Sequence, residues 1–104
     1  MMVEKLKRDG NVAVLYSPGF GAGWSTWNRN NEALIFSVEL AKAVLCEIDK
    51  TPIQVANELF PDAYEGGVKQ LKVEWVPEGS MFEIEDYDGS ESINYKDRDG
   101  WVIA

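Results

Sequence analysis

No histidine occurs in this chain of 104 residues, and cysteine occurs once, at Cys46. The first absence removes the imidazole that most zinc sites and most Ser-His or Cys-His nucleophile pairs depend on. The second leaves no disulfide framework and fits a reducing compartment. No run approaches the roughly 18 consecutive apolar residues that a membrane span needs. The start, Met1-Met2-Val3-Glu4-Lys5-Leu6-Lys7-Arg8, lacks the apolar stretch of a signal peptide. The expectation is a protein of the cytosol.

Basic side chains are scarce in the second half. Residues 53–104 hold four of them against twelve acidic ones, whereas residues 1–52 hold six of each, so the whole net charge of −8 lies in the second half. Affinity for a nucleic-acid backbone comes chiefly from Lys and Arg neutralising phosphates, so direct duplex binding is not expected. The same acidity suits a solvated face that keeps a small domain soluble, or a surface that attracts a basic protein or imitates a nucleic acid.

What is present suffices for one core: the composition is 45% hydrophobic and 12% aromatic, and a single domain over 1–104 is expected. Asn11 to Ser17 is a nearly continuous apolar run closed by Pro18-Gly19, which reads as a buried central strand. Val3 to Arg8 pairs with it as a basic edge strand across Asp9-Gly10. Ser37 N-caps a helix over 38–48, with Val38, Ala41, Val44, Leu45 and Ile48 on one stripe and Cys46 as a small buried hydrophobe. Thr51-Pro52-Ile53-Gln54 is a capping box opening a helix over 52–60, which Pro61 ends.

From Leu71 the apolar period falls to 2 and turn pairs recur at Pro77-Glu78-Gly79, Asp88-Gly89 and Asp99-Gly100. The strands expected are 71–76, 81–87, 92–96 and 101–103, running as a meander. Leu71, Val73 and Trp75 share one face, Phe82 and Ile84 continue the apolar side, and Glu83 and Glu85 point away from it. The fold class is α+β: a mostly antiparallel sheet, made of the N-terminal strand and the C-terminal meander, with two short helices packed on one face.

The candidate ligand-binding residues are Gly19, Gly21, Gly23, Trp24, Ser25, Thr26, Trp27, Asn28 and Arg29. Three glycines leave backbone open to close approach, and successive N–H groups in such a loop form an anion nest. Arg29 adds a charge-assisted contact, Trp24 and Trp27 offer faces on which a base can stack, and Ser25, Thr26 and Asn28 supply donors and acceptors. Trp24 stands where a dinucleotide fingerprint needs its third glycine, and the Gly-Lys-Ser/Thr ending of a P-loop is missing. The plainer reading is a tight turn whose tryptophans cover the sheet.

Asp86 to Glu91 and Asp97 to Gly100 resemble calcium loops only in composition. Their setting between alternating apolar runs is that of hairpin turns. Ser25 and Thr26 have no histidine to activate them, and no carboxylate pair stands out among so many. No catalytic residue, metal site or cofactor is assigned, and the chain is read as a binding protein rather than an enzyme.

At Gly19-Phe20-Gly21-Ala22-Gly23-Trp24-Ser25-Thr26-Trp27-Asn28, and again at Val73-Glu74-Trp75-Val76-Pro77-Glu78-Gly79 through Ser90-Glu91-Ser92-Ile93, the chain resembles a family of small bacteriophage-encoded proteins. The two blocks cover about a third of the sequence. The resemblance implies a phage accessory protein in the bacterial cytosol and brings no catalytic residues. Two roles follow from it together with the residues. In one, the leading expectation, the loop sequesters a nucleotide-derived defence signal without turning it over. In the other, the acidic meander inhibits a host effector by occupying a basic nucleic-acid channel; a structural or host-takeover factor is the third option. A small ligand would need a homo-oligomer to enclose it, with Trp101 to Ala104 as the pairing edge.

Overall fold

The computed structural model describes residues 4–19, 23–28, 31–63, 67–95 and 102–104. The basic segment gives a short edge strand, β1 (Lys7–Arg8), and the apolar run gives β2 (Asn11–Tyr16). They are joined as a hairpin in which Lys7 pairs with Val12 and Arg8 with Asn11. Asp9 and Gly10 both have positive φ, at 51° and 80°, the backbone of the two-residue turn that suits the right-handed twist of the strands.

The central position of β2 follows from Val12, Ala13, Val14 and Leu15 being buried in succession. Its partner on the other side is β3 (Lys72–Pro77), aligned antiparallel so that Ala13 faces Trp75 and Val12 faces Val76. Alternation sends these side chains to two cores. Ala13 and Leu15, with Val73 and Trp75 beside them, meet Leu40, Ala41 and Ala43 of one helix and Val55 and Ala56 of another. Val12, Val14 and Val76 meet Ile35, Phe36 and Phe82 on the opposite face.

Three helices pack around the first sheet. α1 (Glu32–Phe36) is capped by Asn31, whose side chain accepts from the Ala33 N–H, and splits its residues between the cores, Leu34 to the first and Ile35 and Phe36 to the second. α2 (Val38–Val44) starts at Ser37 as expected but stops four residues before 48. Its end is a Schellman arrangement: the Glu47 N–H donates to the Lys42 carbonyl (2.8 Å) and the Cys46 N–H to the Ala43 carbonyl (3.1 Å). Cys46 occupies the left-handed position, φ 60°, and is exposed, which corrects the reading of it as a buried helical residue. α3 (Pro52–Leu59) carries the whole capping box, Thr51 accepting from the Gln54 N–H and the Gln54 side chain accepting from the Thr51 N–H.

The C-terminal strands do not run as one meander. β4 (Met81–Tyr87) pairs with β5 (Ser90–Tyr95) and with β6 (Val102–Ile103), forming a second antiparallel sheet in the order β5-β4-β6, while β3 stays with β2. The reason lies in β3, which buries Val76 on one face and packs Val73 and Trp75 on the other, so it belongs inside the molecule. Gly79, at φ 89°, turns the chain out of it. The second sheet lays Phe82, Ile84 and Ile93 on the face of the first sheet opposite α2 and α3. The Asp88-Gly89 turn repeats the positive-φ pair seen at Asp9-Gly10, at 53° and 85°. The expected Asp99-Gly100 turn and Trp101 lie outside the described residues. No helix among the described residues is long and apolar enough to cross a membrane.

Candidate functional site

The Gly/Trp-rich loop leaves β2 at Ser17 and returns toward α1 through a 3-10 turn at Thr26–Asn28. Its organising group was not among the expected site residues: it is Glu91, on β5, only 2% exposed. One Glu91 oxygen accepts from the Ser17 N–H (3.0 Å) and the Ser17 hydroxyl (3.1 Å). The other accepts from the N–H groups of Ser25 and Thr26, both at 2.7 Å. The Ser17 hydroxyl in turn accepts from the Trp24 N–H at 2.9 Å, so its own proton is directed to Glu91. The backbone of β5 joins in, with the Glu91 N–H donating to the Ser17 carbonyl at 2.8 Å.

The loop therefore does build an anion nest of consecutive N–H groups, and in this structure the anion in it is the chain's own carboxylate. With no ion-pair partner among the described residues, the buried Glu91 carboxylate is tolerated because charge-assisted hydrogen bonds replace its hydration. Further contacts tie the loop to the β4–β5 hairpin: the Gly23 N–H donates to the Gly89 carbonyl (2.7 Å), Ser90 Oγ donates to the Pro18 carbonyl, and Trp27 Nε1 donates to Asp86 (3.3 Å). Asp86 also accepts from the Gly89 N–H at 3.3 Å, which is the hairpin-turn role rather than a cation-binding one. No cluster of three or more metal-ligating side chains occurs among the described residues.

The expected site residues separate into distinct groups. Trp24 is fully buried, its Nε1 donating to the Leu34 carbonyl at 3.0 Å and its ring set edge-on to Phe60, so its face is taken up by the core. Ser25 is buried, and the Thr26 hydroxyl is a buried group without a hydrogen-bond partner among the described residues. Gly23 has φ 56°, and a Cβ there would lie 2.4 Å from the Trp27 indole, so both conformation and space require glycine. Gly19 sits against the side-chain amide of Gln70. Gly21 and Arg29 lie outside the described residues.

Trp27 faces outward, whereas Asn28 is half-buried and its carboxamide N–H donates to the Trp24 carbonyl at 2.7 Å. Trp27 is 44% exposed, and the two residues form one wall of an open cleft of about 450 Å³ whose other wall is the end of α3, with Leu59, Phe60 and Asp62. That volume is within the range of small-molecule sites.

Around the corner, the outward face of the second sheet carries Glu83 and Glu85 on β4, opposite Asn94 and Ser92 of β5, with Asp88 at the turn. All three acidic residues are exposed, and none has an ion-pair partner among the described residues. On the inward side, the Tyr95 hydroxyl donates to Glu74 of β3 and links the two sheets. Desolvation of the phenol and that hydrogen bond push the Tyr95 pKa up to about 12.

Comparison with protein-family models, with curated proteins and with solved structures gives no match. The functional reading rests on the geometry of the chain itself.

Proposed function

We propose that this is a non-catalytic binding protein of the bacterial cytosol, of the phage accessory kind, whose acidic hairpin face docks on a basic protein surface that otherwise holds nucleic acid. The observation that carries it is the outer face of β4 and β5, where Glu83, Glu85 and Asp88 stand exposed without ion-pair partners among the described residues. Such a face steers a basic partner and sets its orientation more than it adds affinity.

The test is calorimetric titration with an oligolysine peptide at about 50 mM and about 300 mM salt, a rise that shortens the screening length about 2.5-fold. Charge reversal at Glu83, Glu85 and Asp88 should weaken binding far more than the equal reversal at Glu4, Glu32 and Asp49, which are also exposed. Equal loss from both sets, or binding indifferent to salt, would refute a localised docking face.

A second reading, sequestration of a nucleotide-derived signal without turnover, is supported by Trp27, an exposed aromatic face from the loop beside the Asn28 carboxamide. With Glu91 filling the nest, stacking rather than phosphate capture would carry it. Thermal unfolding with mononucleotides, cyclic oligonucleotides and cyclic ADP-ribose isomers tests it, since a ligand at 100 Kd adds about 2.7 kcal/mol. The edge strand β6 is then the surface on which a second copy would pair to enclose the ligand.

A further inference from the structure

The outer face of the second sheet is not acidic throughout. Phe82, Ile84 and Ile93 pack on the core beneath it, so alternation turns Met81, Glu83 and Glu85 of β4 the other way. Register brings Ile103 of β6 opposite Met81, Asn94 of β5 opposite Glu83 and Ser92 opposite Glu85. Along β4 the outer face therefore reads apolar pair, carboxylate, carboxylate, at steps of roughly 6.8 Å, two residues of extended chain.

Ile103 is 51% exposed although it is a large aliphatic side chain, and Met81 beside it is half-buried. Cross-strand partners have Cβ atoms about 5 Å apart, so the two make one apolar step at the end of the row. That step is firmly held for a strand of two residues. The Gly79 N–H donates to the Ala104 carbonyl at 2.8 Å, the Ala104 N–H to the Ser80 carbonyl at 2.9 Å and Lys5 Nζ to the Ile103 carbonyl at 3.0 Å. The Lys5 ammonium also lies over the Phe36 ring, 4.5 Å from its centroid. A cation at this end favours an uncharged residue of a partner there, while the carboxylates further along call for basic ones.

We infer that the Met81–Ile103 pair seats an aliphatic side chain of the protein's basic partner, with lysine or arginine residues two and four positions away in an extended segment paired to Glu83 and Glu85. Charge complementarity selects the basic residues, and the aliphatic one gains by removing exposed apolar surface of Ile103 from water. The inference rests on the docking face proposed above. It adds the contact that does not weaken with salt, and the position along β4 at which the partner's uncharged residue lies.

The experiment is a ¹H–¹⁵N titration of the whole chain with the peptide acetyl-Lys-Gly-Lys-Gly-Leu-Gly-Lys-Gly-Lys-amide, whose pattern reads alike in both chain directions. The same peptide with serine in place of leucine is titrated in parallel. The leucine peptide should bind about fivefold tighter, with saturable shifts at the Met81 and Ile103 amides that the serine peptide does not produce. Between about 50 mM and about 300 mM salt both affinities should fall while their ratio holds, because screening acts only on the charged pairs. Ile103→Thr keeps a β-branched residue on the strand and should bring the ratio to about one, leaving the affinity of the serine peptide unchanged.

Equal affinities of the two peptides for the native chain, or a leucine preference that survives Ile103→Thr, would overturn the inference. Glu83→Lys with Glu85→Lys separates it from the docking face. If that double reversal abolishes binding of both peptides while the native chain shows no leucine preference, the apolar seat falls and the face stands. If the reversal leaves both affinities unchanged, the face falls, and the pairing to Glu83 and Glu85 falls with it.

Discussion

Replacing Glu91 by glutamine tests the account of the loop most directly, because it changes charge and one acceptor while keeping the shape. In the native arrangement both oxygens of Glu91 accept, from the Ser17 N–H and hydroxyl on one side and from the N–H groups of Ser25 and Thr26 on the other. A glutamine keeps its oxygen toward Ser25 and Thr26, so its NH₂ faces Ser17. The Ser17 hydroxyl can rotate to accept, but the Ser17 N–H is then left buried against another donor. An unsatisfied buried N–H costs about 1–3 kcal/mol, and converting charge-assisted bonds to neutral ones costs roughly a further 1 kcal/mol. The expected loss is about 3 kcal/mol, a large part of the roughly 5–15 kcal/mol that holds a domain folded. For a domain of this size that is a fall in Tm of roughly 15 °C. Thermal unfolding followed by circular dichroism reads the total, and amide hydrogen exchange at Ser17, Ser25 and Thr26 shows whether the loop opens first. A Glu91→Gln protein within about 0.5 kcal/mol of the native one, the range of ordinary surface changes, would refute the assignment of Glu91 as the group that closes the loop.

Three other perturbations have signs fixed by the structure. Cys46→Gly should stabilise by about 1 kcal/mol, the cost of holding a residue with a Cβ in the left-handed conformation, whereas Cys46→Val should destabilise; chemical denaturation midpoints decide it. Thr26→Val should raise stability by about 1 kcal/mol, because it replaces a buried hydroxyl with no partner among the described residues by a methyl of the same shape; a drop in the unfolding midpoint would show that the hydroxyl is satisfied. Tyr95 should ionise at about 12 in an ultraviolet phenolate titration, and Glu74→Gln should bring it only part of the way back, since desolvation is the larger cause. Its folded pKa is raised, so its contribution to stability is complete below pH 10 and is lost as pH rises through about 12.

Local patterns in the sequence reached the elements whose chemistry is local. The capping box at Thr51 and Gln54 and the Asp-Gly turns at 9–10 and 88–89 are written in adjacent residues, and the structure has them. So is the four-residue apolar core of β2, whose shortness, two valines and bounding turns suit a buried central strand. The helix end at Val44 was hidden because its left-handed residue is Cys46 rather than glycine, and the apolar stripe runs on through Ile48, which packs on the core from outside the helix. Strand pairing was less accessible. The choice of β3 to join β2 instead of β4 depends on Val76 breaking the alternation of Val73 and Trp75, a single apolar residue on the opposite face. Glu91 carried a signal of the same kind. It shares the inward phase of Ile93, where a charged residue is admissible only if the fold supplies its hydrogen bonds.

That dependence bears on what the loop can do. Ser17, Ser25 and Thr26 are held by a carboxylate more than sixty residues away in the chain, so the nest cannot exist until β5 has docked, and once β5 has docked it is filled. A phosphate could enter only by displacing Glu91 into an apolar interior or by lifting the loop from the hairpin, and each route forfeits the bonds that define the site. What the closed loop presents instead is the Trp27 indole, bonded to Asp86 through Nε1 and lining the cleft, and beside it an acidic strand pair. Gly23 and the buried Trp24 belong to the scaffold, and under the proposed function recognition passes to the acidic strand pair, whose charge would select a cationic surface over an anionic ligand.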